Sequence, residues 1–222
     1  MDFTALRLSL MLAGITTLLL IPIALPLAWW LARTPRRLGG VVNALVALPL
    51  VLPPTVLGFY LLIAMGPQGP LGHVSIWLTG GHLAFTFTGL IIGSMVYSLP
   101  FAVQPLRDAF AAQDRGLWDA AASLGAGPFD RFCTVALPLA WPGLLSASVL
   151  TFAHTIGEFG IVLMIGGNIP DRTQVASISI WNQVESLRYS QAHQMSAILL
   201  GLCFLLLLLV FLVGQRRPKG RA

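Results

Sequence analysis

Charge is what this sequence has least of. Only 9% of its 222 residues are Asp, Glu, Lys or Arg, against 56% hydrophobic residues, whereas a water-soluble domain carries about 25% charged residues. Such a chain cannot cover a folded surface with polar groups, so its solvent is lipid. Lysine is nearly missing: Lys219 is the single one, and Gly220 and Arg221 follow it. A phosphate-binding loop needs Gly-Lys-Ser/Thr, with the lysine on the nucleotide phosphates, so any ATP hydrolysis belongs to another polypeptide. The two cysteines, Cys133 and Cys203, fall in a polar loop and in the last apolar run, which argues against a structural disulfide. Of the histidines, His73, His82 and His193 fall in predicted outer segments. They leave His154 and Glu158 short of the three protein donors a zinc site wants. No catalytic set, metal site or cofactor is expected.

What is present is long apolar sequence. Charge-free tracts cover 8–32, 38–106, 132–157 and 189–215, and one span needs about 20 apolar residues. These tracts predict an all-α membrane protein, one domain over 1–222, with five spans near 8–32, 43–65, 84–106, 139–166 and 194–214. A sixth arises if part of 167–194 re-enters the bilayer. Arg33, Arg36, Arg37, Arg107, Arg115, Arg131, Arg216, Arg217, Lys219 and Arg221 then share one side, leaving Arg7, Arg172 and Arg188 on the other. The positive-inside rule puts the larger group in the cytoplasm, hence the N-terminus outside and the C-terminus inside. The net charge of +5 is thus a topology signal, and nucleic acid is not an expected partner. The first apolar run is too long for a signal peptide, and its basic cluster follows it.

Prolines punctuate the spans: Pro22 and Pro26 in the first, Pro49, Pro53 and Pro54 in the second, Pro100 and Pro105 ending the third. Proline removes a helix hydrogen bond, and broken helices suit a transport path as well as ordinary membrane packing. Residues 66–82 read as a short external loop. In 167–194, Ser177, Ile180, Trp181, Val184 and Leu187 have the spacing of one helical face, predicting a small amphipathic helix that caps the bundle or meets an external partner.

Between spans 3 and 4 the chain turns polar. Arg107, Asp108, Asp114, Arg115, Asp119, Asp130 and Arg131 cluster there. Helix formers run from Arg107 to Leu124, with Leu106, Phe110, Leu117, Ala121 and Leu124 near multiples of a turn. Gly125 stops that helix, and Pro128 opens a second running to about Val135, before Pro138 and Pro142 start span 4. The spacing D-A-A-x3-G-x9-V-x-L-P is made by Asp119, Ala120, Ala121, Gly125, Val135, Leu137 and Pro138. It resembles the E-A-A-x3-G-x9-I-x-L-P loop of the membrane subunits of bacterial ABC importers, with Asp119 for Glu and Val135 for Ile. The resemblance implies a type I importer permease architecture, in which loop 107–138 is the coupling element seated in a groove of an ATPase subunit.

Two further stretches, "LPLVLPPTVLGFYLL" at 48–62 and "HTIGEFGIVLMIGGNIPDRT" at 154–173, resemble the molybdate branch of that permease family. Asp171-Arg172 departs from it, the family having glycine after the Ile-Pro. This resemblance implies a homodimer in the bacterial cytoplasmic (inner) membrane, two cytoplasmic ATP-binding subunits and an external protein delivering molybdate or tungstate. A permease for sulfate, thiosulfate or another small solute is the alternative. Pathway or gate candidates are Pro53, Pro54, Gly157, Glu158 and Gly160. Glu158 is the acidic residue inside a span, about 12 Å deep at 1.5 Å per residue, and such a group is a functional hypothesis by default. A carboxylate repels a dianion, so supporting a glycine-flanked packing site is preferred over gating. His154, four residues earlier, is placed to pair with it. No arginine lies within a predicted span, which fits a weakly binding conduit. A membrane enzyme lacks ligands, and a lone channel leaves the polar loop unused.

Overall fold

A computed structural model describes residues 2–34 and 36–214; the basic tail at Arg216, Arg217, Lys219 and Arg221 lies outside them. Helix α1 spans Phe3–Arg33. Asp2 starts it by accepting from the Ala5 N–H at 3.0 Å, satisfying one of the open donors of a helix start. Its 31 residues reach about 46 Å at 1.5 Å each, well beyond a hydrocarbon core of about 30 Å. Helix α5, Phe87–Ala111, runs alongside and overhangs at the same end, its Phe110 ring 5.0 Å from that of Trp29. A third long helix, α8 (Trp141–Gly157), completes the central layer with α1 and α5.

Without water to drive apolar association, helices in lipid pack through close backbone approach. The centre accordingly uses small residues: Ala24, Ala28, Ala102, Ala136, Ala140 and Ala147 are all fully buried. A Cβ on Gly143 would lie 2.3 Å from that of Ala109, so α5 and α8 touch there only because Gly143 has none. The last helix, α11 (Tyr189–Gly214), shows the opposite pattern, with Leu200, Phe204, Leu205 and Phe211 exposed as lipid-facing surface.

Among the described residues, three helices are long and apolar enough to cross a membrane, or five if each of two bent pairs is one span. The bends fall within the second and fourth of the expected spans. The stretch 43–65 belongs to α2 (Arg36–Val51) and α3 (Pro54–Met65), which meet at 109°. Pro53 and Pro54 together withhold two consecutive N–H groups, and Pro53 is extended at φ −55°, ψ 134°, so no helix passes through. The stretch 139–166 is also divided. A helix α7, Pro128–Leu139, meets α8 at 70°, and α8 ends at Gly157 before a new short helix, α9 (Gly160–Gly166). The external segment 66–82 contains a helix, α4 (Pro70–Thr79).

The helix expected over 107–124 is likewise two. α5 continues through Ala111, and α6 (Arg115–Ser123) restarts where Asp114 accepts from the Gly116 N–H at 2.9 Å. The outer amphipathic helix is α10, Ala176–Glu185. It is fixed to the start of α1, since Ser9 Oγ accepts from the Ala176 N–H at 2.8 Å and Ser179 Oγ donates to Asp2 at 3.1 Å. Its buried side is Val175, Ala176, Ile178 and Ser179. Of the expected stripe, Trp181, Val184 and Leu187 are exposed, Ser177 and Ile180 are half-buried, and Leu187 lies past the helix end; Trp181 packs against Phe159.

Candidate functional site: a polar elbow and a membrane cleft

The motif residues lie on α6 and α7. Gly125 has φ +85°, the left-handed conformation that only glycine takes freely. Its N–H donates to Ala122 O at 3.0 Å and the Ala126 N–H to Ala121 O at 3.1 Å, the paired bonds of a Schellman ending. Asp119 and Ala120 are exposed and Ala121 is half-buried. Within α7, residues Phe132–Ala136 form a π-helical turn. Pro138 accounts for a local irregularity, because its ring would collide with the carbonyl four residues back in a regular helix; the Leu137 N–H bonds to Phe132 O instead. Val135 and Leu137 are half-buried and Pro138 exposed. Gln113 Nε2 donates to Ala136 O at 2.8 Å, tying α7 to the end of α5.

An aromatic knot holds this elbow to the spans. Trp29 of α1 lies 4.8 Å from Trp118 of α6, 5.1 Å from Phe132 of α7 and 5.0 Å from Phe110 of α5. Arg33 lies over Trp29 and Trp118, and Arg131 lies 4.8 Å from Trp118, contacts worth about 0.5–1 kcal/mol each where water reaches them. On the far side Leu117, Leu124 and Phe129 are exposed, the last two by 89% and 80%. The elbow is thus anchored from behind and presents apolar side chains in front.

The second feature is a cleft of about 630 Å³ where the two helix breaks meet. Pro54, Gly157, Glu158 and Gly160 line it, while Pro53 sits behind as the cap of α3. The breaks are packed through glycine. A Cβ on Gly160 would be 2.6 Å from that of Pro54, and one on Gly58 would be 2.9 Å from that of Met164. Glu158 has extended backbone, and its carbonyl accepts from Ser177 Oγ at 2.5 Å, so α10 satisfies what the broken helix leaves open. Its carboxyl is buried at 4% exposure beside Ser94, with neither oxygen in an aligned hydrogen bond among the described residues.

The expected His154–Glu158 pair does not form. The helix stops between them, and His154 Nδ1 lies 3.0 Å from Ser98 Oγ, its ring stacked on Phe101 at 4.0 Å. Ser98 also meets Thr155 Oγ1 at 3.0 Å, so the histidine ends a hydroxyl chain between α5 and α8. Sequence reasoning missed Thr55, Tyr97 and Met164 as cleft residues. A tyrosine and a threonine inside apolar runs were the available signal. It also missed the knot, whose Trp29 and Trp118 are far apart in the chain. The cleft lining holds no Lys or Arg.

A cleft at broken apolar helices joined to an anchored polar elbow suits a transporter's membrane component, and comparison with known proteins agrees. Residues 24–217 match the family model of the binding-protein-dependent transport system inner membrane component, and the chain belongs to that family. Over 219 residues it is 53% identical to the molybdenum transport system permease protein ModB of Azotobacter vinelandii, covering 99% of this chain and 96% of that one. A crystal structure of a bacterial ABC transporter that imports the acidic polysaccharide alginate shares the fold, with TM-score 0.77 and 17% identity over 98% of this chain and 80% of that chain. A second, of the alginate transporter with its pentasaccharide-bound periplasmic protein, gives TM-score 0.75 and 17% identity over 94% and 76%. The chain is therefore a multi-pass membrane transport component of the ABC importer class.

Proposed function

We propose that this chain is the permease subunit of an ATP-driven importer for molybdate, or its near-isosteric dianion tungstate. The observation that carries the substrate is the 53% identity with a molybdenum permease along nearly the whole of both chains. Sulfate or thiosulfate ranks below it on the same ground. The elbow formed by Asp119, Ala120, Ala121, Gly125, Val135, Leu137 and Pro138 is the surface that a separate ATPase subunit grips. Exposed Leu117, Leu124 and Phe129 supply apolar contact there, and the knot behind them passes the stroke to α1 and α5.

Two copies of the chain face each other across the cleft, each docking one ATPase, and an external binding protein delivers the oxyanion. The pairing of the related alginate transporter with a periplasmic protein supports that last partner. The arginine distribution supports an N-terminus outside and a C-terminus in the cytoplasm. Pro53, Pro54, Gly157, Glu158 and Gly160 form the jointed wall of the pathway. A wall without cations suits passage, since a site that held a dianion tightly would not release it.

Reconstitution in proteoliposomes with the cognate ATPase and binding protein tests this reading. Molybdate- or tungstate-loaded binding protein is expected to raise ATP hydrolysis and uptake, sulfate is not, and the chain alone moves nothing. Uptake by the chain unaided, or stimulation by sulfate alone, overturns it.

A further inference from the structure

Arg7 and Arg172 converge on a cleft of about 390 Å³ at the end of the bundle opposite the elbow. Arg7 lies in the second turn of α1 and Arg172 in the connection between α9 and α10. Both are exposed, and neither guanidinium has a salt bridge or hydrogen bond among the described residues. The remaining wall is mostly apolar, with Leu8, Met11, Phe85 and Phe87 beside Thr86, and Asp171 is the one carboxylate in the lining. Phe85 has φ +61°, which a bulky side chain rarely adopts. The Phe85 N–H is locked to Ile165 O at 2.8 Å.

We propose that this cleft is a binding site for an anionic phospholipid of the outer leaflet, its phosphate between Arg7 and Arg172 and its acyl chain along Leu8, Met11 and Phe85. The ligand must be both anionic and apolar. A soluble oxyanion has no use for the greasy wall. A carboxylate on a docking protein needs no apolar wall beside the arginines. Arg7 directly precedes the apolar run of α1, the depth at which long basic side chains reach up to headgroups. Asp171 opposes the phosphate and sets the affinity below what two arginines alone would give. The site stands independently of which solute the permease carries.

The test is native mass spectrometry of the full-length chain in mild detergent, titrated with phosphatidylglycerol, phosphatidylcholine or inorganic phosphate. The wild type should retain phosphatidylglycerol over phosphatidylcholine, and R7Q and R172Q should each cut that retention about fivefold. R188Q, on the same side but outside this cleft, should leave it unchanged. D171N should raise retention, a direction that misfolding cannot produce, and asparagine tolerates the left-handed backbone of position 171, φ +61°. Equal retention of the two lipids, or an equal loss in R188Q, overturns the proposal. So does inorganic phosphate binding as well as the lipid, which makes this a free-anion site. Loss of binding-protein affinity in R7Q and R172Q with lipid retention intact also overturns it, in favour of a protein contact.

Discussion

Gly157 and Gly160 flank the same break, and alanine should have opposite effects at the two. A Cβ at 160 would stand 2.6 Å from Pro54 Cβ and 3.5 Å from its Cγ, where carbon atoms prefer about 3.5–4.0 Å. Relief needs a separation of about 1 Å. The obstacle is the first residue of α3, a proline ring with no rotamer to move into, so the helix itself must shift. Gly58 on α3 is already pressed on Met164 of α9, so shifting one contact disturbs the other. Overpacking of this kind costs about 1–3 kcal/mol. At 157 a Cβ meets nothing within 4 Å and the backbone φ is not positive, so alanine there adds about 0.4–1 kcal/mol by restricting the unfolded chain. At about 2–4 °C per kcal/mol for a chain of this size, the melting midpoints of G160A and G157A in detergent should differ by about 3–16 °C, with G160A lower. Tryptophan fluorescence during heating reads this directly. Equal midpoints, or G157A the less stable, would refute the claim that the breaks are joined through Gly160 and Pro54.

Other substitutions separate the elbow from the cleft. Ala121→Arg places a long charged side chain on the elbow and should abolish co-purification of the ATPase; a variant that still binds a fully stimulated ATPase counts against the docking role. Trp118→Ala removes the ring facing Trp29, Arg33 and Arg131, and should cost about 2 kcal/mol, below the fully buried value of about 3–5. ATPase binding should persist while substrate stimulation of hydrolysis falls; unchanged stimulation would remove the knot from the transmission route. Glu158→Gln keeps the shape and should retain most uptake, whereas complete loss in a normally assembled transporter would assign the carboxylate a charged gating function.

The helices that lipid alone dictates were legible. α1 and α11 are unbroken apolar runs, and Gly125 and Pro128 marked the elbow because each meets a purely local need. Which of the flagged prolines break a helix was not legible, for a physical reason. Pro22 and Pro26 leave α1 continuous, while Pro53 and Pro54 end α2, so the outcome depends on adjacency and on what neighbours accept the freed groups. The break at Glu158 is further from view, since its carbonyl is satisfied by Ser177, 19 residues later. Stopping the helix there also removes the i, i+4 register on which a His154–Glu158 pair depended. The knot joins Trp29 to Trp118, a pairing invisible to any local window.

These two kinds of feature divide the labour that the proposed function requires. α5 runs from the knot at Phe110 up to Tyr97 in the cleft wall, and α8 runs from the end of α7 up to Glu158. Glycine–alanine contact at Gly143 and Ala109 and the hydroxyl chain of Ser98, Thr155 and His154 hold the two together. Such a pair carries displacement along its length, because close-packed contacts shift between discrete arrangements and do not stretch. Compliance then has to sit at the far end, and there α2–α3 and α8–α9 are interrupted at residues that only the cleft brings together. A stroke delivered to α6 would therefore move the cleft walls against each other at Pro54 and Gly160, where no side chain on the glycine intervenes.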